Sequence, residues 1–359
     1  MRFAALAALL VLTACSSAPS SQDAVAVDPI APPADAPPAA QAPPAAPPSV
    51  TPACNVMTPR TAPLEVLAMP DAGQAPYTDV LARATKTIRV MVYEIGYGPI
   101  LDALEAKAKA GLDVRVILDV AQQSTNQKYM DMLTAAGAKA IWSDVQFTYM
   151  HAKTIVVDEK EAVVSTGNFA QFRMNIERNF VAHDTDPADV DVLVKLFDAD
   201  FARTSPDLAC TRLLVSPVNS KQRLLDLIGT ATKEIVVESM QFEDRDVRAA
   251  IVARKNAGVS VRVILADTGF VSANADAATY LASNGIEARY MTSPVVHVKA
   301  IVVDGTTAYV GSENLSYTSL VKNREVGVVA LEQANVDVVH ATFEKDWPTA
   351  TPFSAPPPM

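Results

Sequence analysis

The sequence predicts an α/β protein made of two tandem domains, each with a mixed β-sheet flanked by helices. Three observations predict this fold class. With 359 residues, the chain is long enough for two domains. Half of its residues are hydrophobic and 19% are charged, which excludes a wholly disordered or coiled-coil chain. A series of strand and helix patterns occurs twice, about 147 residues apart.

Each copy of the repeat begins with an apolar, β-branched run, which is typical of a buried strand. A helical pattern follows and ends at Gly111 or Gly258, as a C-terminal cap should. The matched segments are strands 86–94 and 233–239, helices 100–110 and 247–257, and strands 114–118 and 261–265. A second helix in each copy ends near a glycine and a short strand follows. This alternation predicts two domains, over residues 54–206 and 207–347.

The first 14 residues combine one arginine with a short apolar run and small residues. This pattern is typical of a secretory signal and is too short to span a bilayer comfortably. The end of the run, Leu12 to Cys15, resembles the bacterial lipobox, which implies cleavage before Cys15 and a lipid on its sulfur. We therefore expect an exported protein anchored to a bacterial membrane, at the outer membrane or facing the periplasm. An ordinary signal peptide with an incidental cysteine is the alternative.

Two further segments have compositions that build no core. Residues 15–53 are rich in Ala, Pro and Ser and contain 11 of the 25 prolines, which predicts an extended tether. Residues 348–359 are also rich in proline, and we expect a disordered tail there.

One polar motif occurs in both copies, His-x-Lys-x-x-x-x-Asp. Residues two apart on a strand project from the same face, so each His and its Lys should point into one site. Downstream of each motif come hydroxyl and amide side chains and then a glutamate. The candidate residues are His151, Lys153, Asp158, Thr166, Asn168 and Glu177 in the first copy, and His297, Lys299, Asp304, Ser312, Asn314 and Glu325 in the second.

The aspartate of the motif has two interpretations. Asp158 and Asp304 differ in strand parity from the His and Lys, and both come where the strand must turn back. The pair Asp304-Gly305 is a good hairpin signal. A role as a turn residue therefore competes with a catalytic role.

These motifs resemble the signature of the phospholipase D superfamily, H-x-K-x-x-x-x-D followed by G-S-x-N and a later Glu. The resemblance implies two phospholipase D-like domains related by a pseudo-two-fold axis, with one active site at their interface. It also implies a monomer, because both half-sites are in one chain. The first copy departs from the pattern, with Ser165-Thr166 in place of Gly-Ser.

The resemblance also assigns roles. One His attacks phosphorus to form a phosphohistidine and the other protonates the leaving oxygen; we assign these steps to His151 and His297, respectively. Glu177 and Glu325 would orient the imidazoles, and the phosphate would be bound by the residues Lys153, Lys299, Asn168, Asn314, Thr166 and Ser312. Two lysines on the phosphoryl oxygens stabilise charge without a metal, so we expect no metal and no cofactor.

The sequence leaves several classes of substrate and function to be distinguished. A phospholipase D acting on glycerophospholipids, by hydrolysis or headgroup exchange, fits a lipid anchor. Cardiolipin synthesis is a variant in which a glycerol-bearing phospholipid replaces water as acceptor. A metal-independent nuclease is the alternative, which the net charge of −10 disfavours. A non-enzymatic binding protein is a third class, which the intact motifs argue against.

Other polar residues have weaker signals. Cys54 and Cys210 each precede the first strand of a repeat, and export would permit a disulfide between them; two unpaired thiols are the alternative. His183 and His340 have no motif around them, and we interpret both as structural. Four cations that follow the motifs either line a phosphate-facing rim or lie on solvated surface: Arg173, Arg178, Lys322 and Arg324.

Overall fold

The computed structural model describes residues 55–208 and 210–354. The predicted signal, Cys15, the tether and Cys54 lie outside the described residues. Cys210 is disulfide-bonded. Within the described ranges, no helix has both the length and the apolar character needed to cross a bilayer.

The first half alternates strands and helices as the repeat predicts. Its elements are β1 (Leu64–Met69), α1 (Ala75–Arg83), β2 (Thr87–Val92), α2 (Pro99–Lys109), β3 (Asp113–Leu118), α3 (Gln123–Ala135), β4 (Lys139–Trp142), β5 (Lys153–Val157), β6 (Glu161–Ser165), α4 (Gln171–Ile176), β7 (Glu177–Asp184) and α5 (Pro187–Ala202). Strands β2, β3 and β4 are parallel, and β5, β6, β7 and β1 continue the sheet in antiparallel pairs. The predicted mixed sheet is therefore confirmed.

The second half repeats this order. Its elements are β8 (Leu214–Ser216), α6 (Ser220–Gly229), β9 (Glu234–Ser239), α7 (Arg245–Asn256), β10 (Ser260–Ala266), α8 (Asn274–Ser283), β11 (Glu287–Met291), β12 (Val295–Val296), β13 (Lys299–Val303), β14 (Thr307–Gly311), α9 (Tyr317–Val321), β15 (Glu325–Ala330), α10 (Gln333–Asp346) and β16 (Thr351–Pro352). The sheet order is β16-β11-β10-β9-β13-β14-β15-β8. Strand β12 instead pairs with β7 of the first half.

Residues 348–354 form part of the fold, although the sequence analysis places them in a disordered tail. Strand β16 adds to the edge of the second sheet beside β11, and the Phe353 ring packs edge-on against Tyr290. The backbone amide of Phe353 also donates to Ala288. An edge strand offers unpaired backbone groups, which these residues satisfy. The prediction of a disordered tail from residue 348 is therefore wrong for residues 348–354.

The two predicted domains share one hydrophobic core. The inner faces of both sheets contribute to a single cluster, for example Val164 and Phe180 from the first half and Val302 and Val328 from the second. Helices α5 and α10 pack into the same cluster. A separate cluster in each half lies between its sheet and its outer helices. Burial of apolar surface thus holds the two halves together.

Candidate active site

The repeated His and Lys lie at the start of two central strands, β5 and β13. Lys153 and Lys299 are the first residues of these strands, and each His comes two residues earlier. All four side chains are buried, with both lysines 0% exposed. Buried cations are rare in proteins unless they bind an anion or a counter-charge.

Backbone hydrogen bonds place each His against the other half of the chain. The amide of His151 donates to the carbonyl of Arg324 at 2.9 Å, and that of His297 donates to the carbonyl of Arg178 at 3.1 Å. Each of these arginines is next to a glutamate of the motif. The site is thus assembled across the interface between the halves, as the resemblance implies.

His151 is oriented by a carboxylate from the second half. Its Nδ1 lies 2.8 Å from Oε2 of Glu325, which is fully buried. The other oxygen of Glu325 accepts hydrogen bonds from Ser319 and Asn323. The carboxylate is therefore held in one position, and it fixes the ring that it contacts.

His297 has a different set of partners. Its Nδ1 lies 3.1 Å from Oδ1 of Asn179 and 3.7 Å from Oε2 of Glu177. The ammonium of Lys299 is 3.2 Å from the same nitrogen. Asn179 in turn donates to Glu177 at 3.1 Å. Glu177 therefore acts on His297 mainly through Asn179, a residue that the sequence analysis missed although it comes two positions after the motif glutamate.

The two lysines direct their ammonium groups at backbone carbonyls beside the histidines. Lys153 donates to the carbonyl of His151 at 2.5 Å, and Lys299 donates to that of His297 at 2.6 Å. Burial lowers the pKa of Lys153 to about 8. Burial and, next, the charge of Lys153 lower the pKa of Lys299. A bound anion would relieve both effects, so the pair is suited to phosphoryl oxygens.

Asn168 and Asn314 form a second symmetric pair. Both side chains are buried, and in each the Oδ1 atom has no hydrogen-bond partner among the described residues. Buried polar atoms are normally satisfied, so two equivalent unsatisfied amides indicate groups that bind a ligand. The assignment of both residues to phosphate binding stays a prediction.

Thr166 and Ser312 do not face the site as predicted. The Thr166 hydroxyl donates to Oδ1 of Asn179 and accepts from the Phe180 amide. The Ser312 hydroxyl accepts a hydrogen bond from the Val326 amide and donates one to the Glu325 carboxylate. Because these bonds occupy the hydroxyls, the prediction that they bind phosphate is wrong. They position the groups that contact the histidines.

Asp158 and Asp304 are turn residues rather than catalytic ones. Both have positive φ, 52° and 54°, at the hairpins after β5 and β13. The carboxylate of Asp158 accepts from the amides of Thr85, Lys86 and Thr87, and Asp304 bonds to the equivalent segment before β9. The lysine of each motif is at the start of the strand and the aspartate follows its end, so the predicted catalytic role of the aspartates is wrong.

Two of the four cations that follow the motifs are structural. Arg178 makes a buried ion pair with Asp346 of α10, and Arg324 makes one with Asp200 of α5. Both pairs join the two halves. The interpretations as a phosphate-facing rim or solvated surface are thus wrong for these two, because each guanidinium is needed inside the interface. Lys322 is exposed.

Burial keeps both histidines neutral before substrate binds. It lowers the pKa of His151 to about 4, although the charge of Glu325 opposes the shift. It also lowers the pKa of His297, and the positive charges of Lys299 and Lys153 act in the same direction. The negative charge of a bound phosphodiester would raise both values.

Tyr93 and Asp119 are site residues that the sequence analysis missed. The Tyr93 ring is edge-on to His151, with centroids 4.8 Å apart, and is 5.3 Å from the ammonium of Lys153. Asp119 is buried and accepts from the Met150 amide, directly before His151. Both come immediately after parallel strands, β2 and β3. Polar residues at the carboxyl ends of parallel strands often line a binding site, so this position in the sequence could have indicated both residues.

Comparison with known proteins agrees with this geometry. The sequence profile of a family described as "Cardiolipin synthase, PLD-like domain" matches residues 77–204 and 224–347, which include both His-x-Lys motifs. The chain belongs to this phospholipase D-like family.

A cardiolipin synthase of Clostridium perfringens is 24% identical over 333 residues, covering 76% of this chain and 68% of that protein. A probable cardiolipin synthase of Bacillus subtilis is 22% identical over 293 residues, covering 68% of this chain and 57% of that protein. Phosphatidylserine synthase from Haemophilus influenzae has a similar structure, with a TM-score of 0.61 at 16% identity, covering 81% of this chain and 87% of that one. The structural likeness shows the two-half phospholipase D-like fold.

Proposed function

We propose that the protein is a phosphatidyltransferase that moves the phosphatidyl group of a glycerophospholipid to a hydroxyl acceptor through a phosphohistidine intermediate. One observation carries the proposal: two buried His-Lys-Asn sets meet at the interface, and each His contacts residues of the opposite half. The similar proteins described above, cardiolipin synthases and a phosphatidylserine synthase, support a phospholipid as substrate.

His151 is the better nucleophile of the two histidines. Its Nδ1 donates a proton to the Glu325 carboxylate, which leaves the lone pair of Nε2 free to attack. The same carboxylate stabilises the positive charge that develops on the ring as the bond to phosphorus forms. This arrangement supports the role given to His151 from the resemblance.

His297 is suited to proton transfer. Its Nδ1 lies beside a donor, the Lys299 ammonium, and an acceptor, the Asn179 oxygen. Either tautomer of the ring therefore finds a partner, which favours a group that gives and takes a proton at Nε2.

The bound phosphodiester raises the pKa of His297, so that its ring takes up a second proton before the reaction. In the first step, Nε2 of His151 forms a bond to phosphorus while the bond to the headgroup oxygen breaks and His297 gives that oxygen its proton. In the second step, His297 takes a proton from the acceptor hydroxyl, whose oxygen attacks phosphorus as the bond to His151 breaks. The two ammonium groups and the two asparagine amides stabilise the charge on the phosphoryl oxygens in both steps.

Water and an alcohol attack the same intermediate, so both outcomes belong to one mechanism. With water the product is phosphatidic acid, and with a second glycerol-bearing phospholipid it is a cardiolipin-type lipid. We further propose that the protein is exported and attached by a lipid at Cys15, which would keep the site beside its substrate. A single chain holds both half-sites and would act as a monomer.

The test uses a phospholipid whose headgroup is p-nitrophenol, because this leaving group needs no acid. We expect the His297→Ala protein to release one equivalent of p-nitrophenol and to retain a phosphatidyl adduct on His151, detected by mass spectrometry after alkaline quench. The His151→Ala protein should form no adduct. Absence of an adduct in both variants, with retained circular dichroism, would contradict the two-histidine mechanism.

A parallel assay tests the substrate class. Wild-type protein in EDTA is given mixed phospholipid micelles, single-stranded DNA or double-stranded DNA, with the His151→Ala protein as blank. We expect lipid products only. Cleavage of DNA without lipid turnover would instead establish the nuclease alternative.

A further inference from the structure

Large apolar side chains are exposed mainly around the active site. Within residues 55–208 and 210–354, seven such side chains are exposed. Six of them are in segments next to the site, and we call these six the apolar rim: Tyr97, Val145, Phe172, Ile176, Val218 and Tyr317. The seventh, Met57, lies beside the carboxyl-terminal end of α6, away from the site. This uneven distribution indicates a binding surface rather than scattered exposure.

In the first half, the rim residues are in α4, which leads into Glu177, and in the loop bonded to the start of that helix. Phe172, 71% exposed, is next to Arg173, whose guanidinium lies 3.5 Å from Glu177. Ile176 precedes Glu177 in the chain. The carbonyl of Tyr97 accepts from the Gln171 amide, so the two loops are bonded to each other.

In the second half, the rim continues on equivalent elements. Tyr317, 53% exposed, begins α9, three residues after Asn314. Val218 follows β8 and shares a cavity of about 350 Å³ with Leu320 and Val321 of α9. Val145 belongs to the loop that is bonded to the carbonyl of Lys322 through the Thr148 amide. The rim therefore includes loops of both halves around one site.

Cations accompany the exposed rings. The ammonium of Lys128 is 4.9 Å from the centre of the Tyr97 ring, and those of Lys221 and Lys322 are each 5.5 Å from the Tyr317 ring. Aromatic and aliphatic side chains that project among cations match the chemistry of a bilayer surface, where acyl chains lie below anionic phosphates. A nucleic acid would offer phosphates but no apolar layer for Val145, the most exposed member of the apolar rim.

We propose that the apolar rim inserts into the surface of a phospholipid bilayer while Lys128 and Lys322 contact lipid phosphates, so that the site opens directly onto the membrane. Lys221 is instead held by Asp244 and Asp246. The proposal rests on the proposed function, since a phospholipid substrate must reach the buried His and Lys from that surface. Amphipathic membrane elements typically enter about 5–10 Å into the headgroup region, which is within the reach of such side chains.

The test measures partition onto sucrose-loaded vesicles by sedimentation. All proteins are the full chain with Cys15→Ser, so that no lipid can be attached there. We expect the double variant Phe172→Ser, Tyr317→Ser to lower the partition coefficient on vesicles of 70% phosphatidylcholine and 30% phosphatidylglycerol by about tenfold or more. The matched control Met57→Ser should bind as wild type. The conservative double variant Phe172→Trp, Tyr317→Trp should restore binding.

Equal partition of the double serine variant and the Met57 control would overturn the proposal. So would a wild-type protein that does not bind these vesicles at all, or a rim whose substitution changes only self-association in analytical ultracentrifugation. These readouts need no turnover, so they decide the proposal even if the proposed function fails.

Turnover then separates the two hypotheses. On a short-chain phospholipid below its critical micelle concentration, no surface is present, and the double serine variant should match wild type. On vesicles of long-chain lipid it should lose activity in proportion to partition. A loss that is equal on monomeric and vesicle substrates, with unchanged partition, would contradict the rim's role. Absence of wild-type activity on both substrates would contradict the proposed function only.

Discussion

Glu238 offers a test of how the interface tolerates a buried acid. It is on β9, among Phe180 of the first half and Val339 and Phe343 of α10, and neither of its carboxylate oxygens has a hydrogen-bond partner in the described chain. The equivalent fifth residue of β2 is Met91. We therefore predict that Glu238→Met stabilises the fold, because it replaces an unsatisfied acid with the apolar residue that the first half uses.

The magnitude follows from proton linkage. Burial raises the pKa of Glu238 to about 8 from an ordinary value of 4.5; the charge of Asp346 adds to this shift, and that of Arg178 opposes it. Between pH 4.5 and pH 8, Glu238 keeps its proton in the folded protein but loses it in the unfolded chain. Stability is therefore lost as the pH rises, by at most about 1.4 kcal/mol per pH unit. The loss between pH 5 and 8 is roughly 3.5 kcal/mol, because the slope falls off near each pKa.

The assay is urea unfolding at pH 5 and pH 8, followed by circular dichroism. We expect wild type to lose about 3.5 kcal/mol more than Glu238→Met over this interval. Glu238→Gln serves as a control that removes the titration but keeps a polar side chain, and it should share the flatter pH dependence without the full gain in stability. If all three proteins lose stability equally with pH, the reasoning is refuted.

Three further predictions concern the site. Glu325→Gln should lower kcat about 100-fold, and more than Glu177→Gln does, because only Glu325 bonds its histidine directly; steady-state kinetics would show equal losses if the asymmetry is unimportant. Asp158→Ala should leave kcat unchanged but lower the free energy of unfolding by about 1–2 kcal/mol, through lost hydrogen bonds to backbone amides; a large loss of kcat with unchanged melting would reverse this assignment. Because burial lowers the pKa of Lys153 to about 8, activity should fall as pH rises past 8 and the ammonium loses its proton; a pH profile that stays flat to pH 10 would argue against a charged lysine in the reaction.

Local patterns in the sequence predicted the strands and helices well. Apolar runs and glycine caps depend on neighbours in the chain, so Gly111 and Gly258 indicated the helix ends correctly. The pairing of β12 with β7 depends instead on residues more than 100 positions apart. The hydrophobic periodicity of the sequence does not indicate such long-range contacts. The same holds for Arg178 and Arg324, whose partners are on helices of the opposite half.

Residue type and spacing predicted which side chains lie together at the candidate site. They were less reliable in predicting the partner that each side chain contacts there. His151 and His297 were found because the motif recurs. The roles of Thr166 and Ser312 were mistaken because a hydroxyl can serve a ligand or a neighbouring strand, and only the positions of its partners decide between these. Asn179 was missed because a single asparagine in a strand does not indicate a site residue by itself. Its role becomes visible only from its contact with the His297 ring in the folded structure.

The crossed backbone bonds at His151 and His297 make each half dependent on the other to hold its own motif histidine in place. Two separate half-chains would have to meet in solution before either could react, and dilution would separate them. A single polypeptide replaces that encounter with an intramolecular one. It also frees the two copies to diverge, as Tyr93 on one side and Met240 beside Lys299 on the other already illustrate. A symmetric pair of identical chains could not make one wall of the site aromatic and the other a thioether.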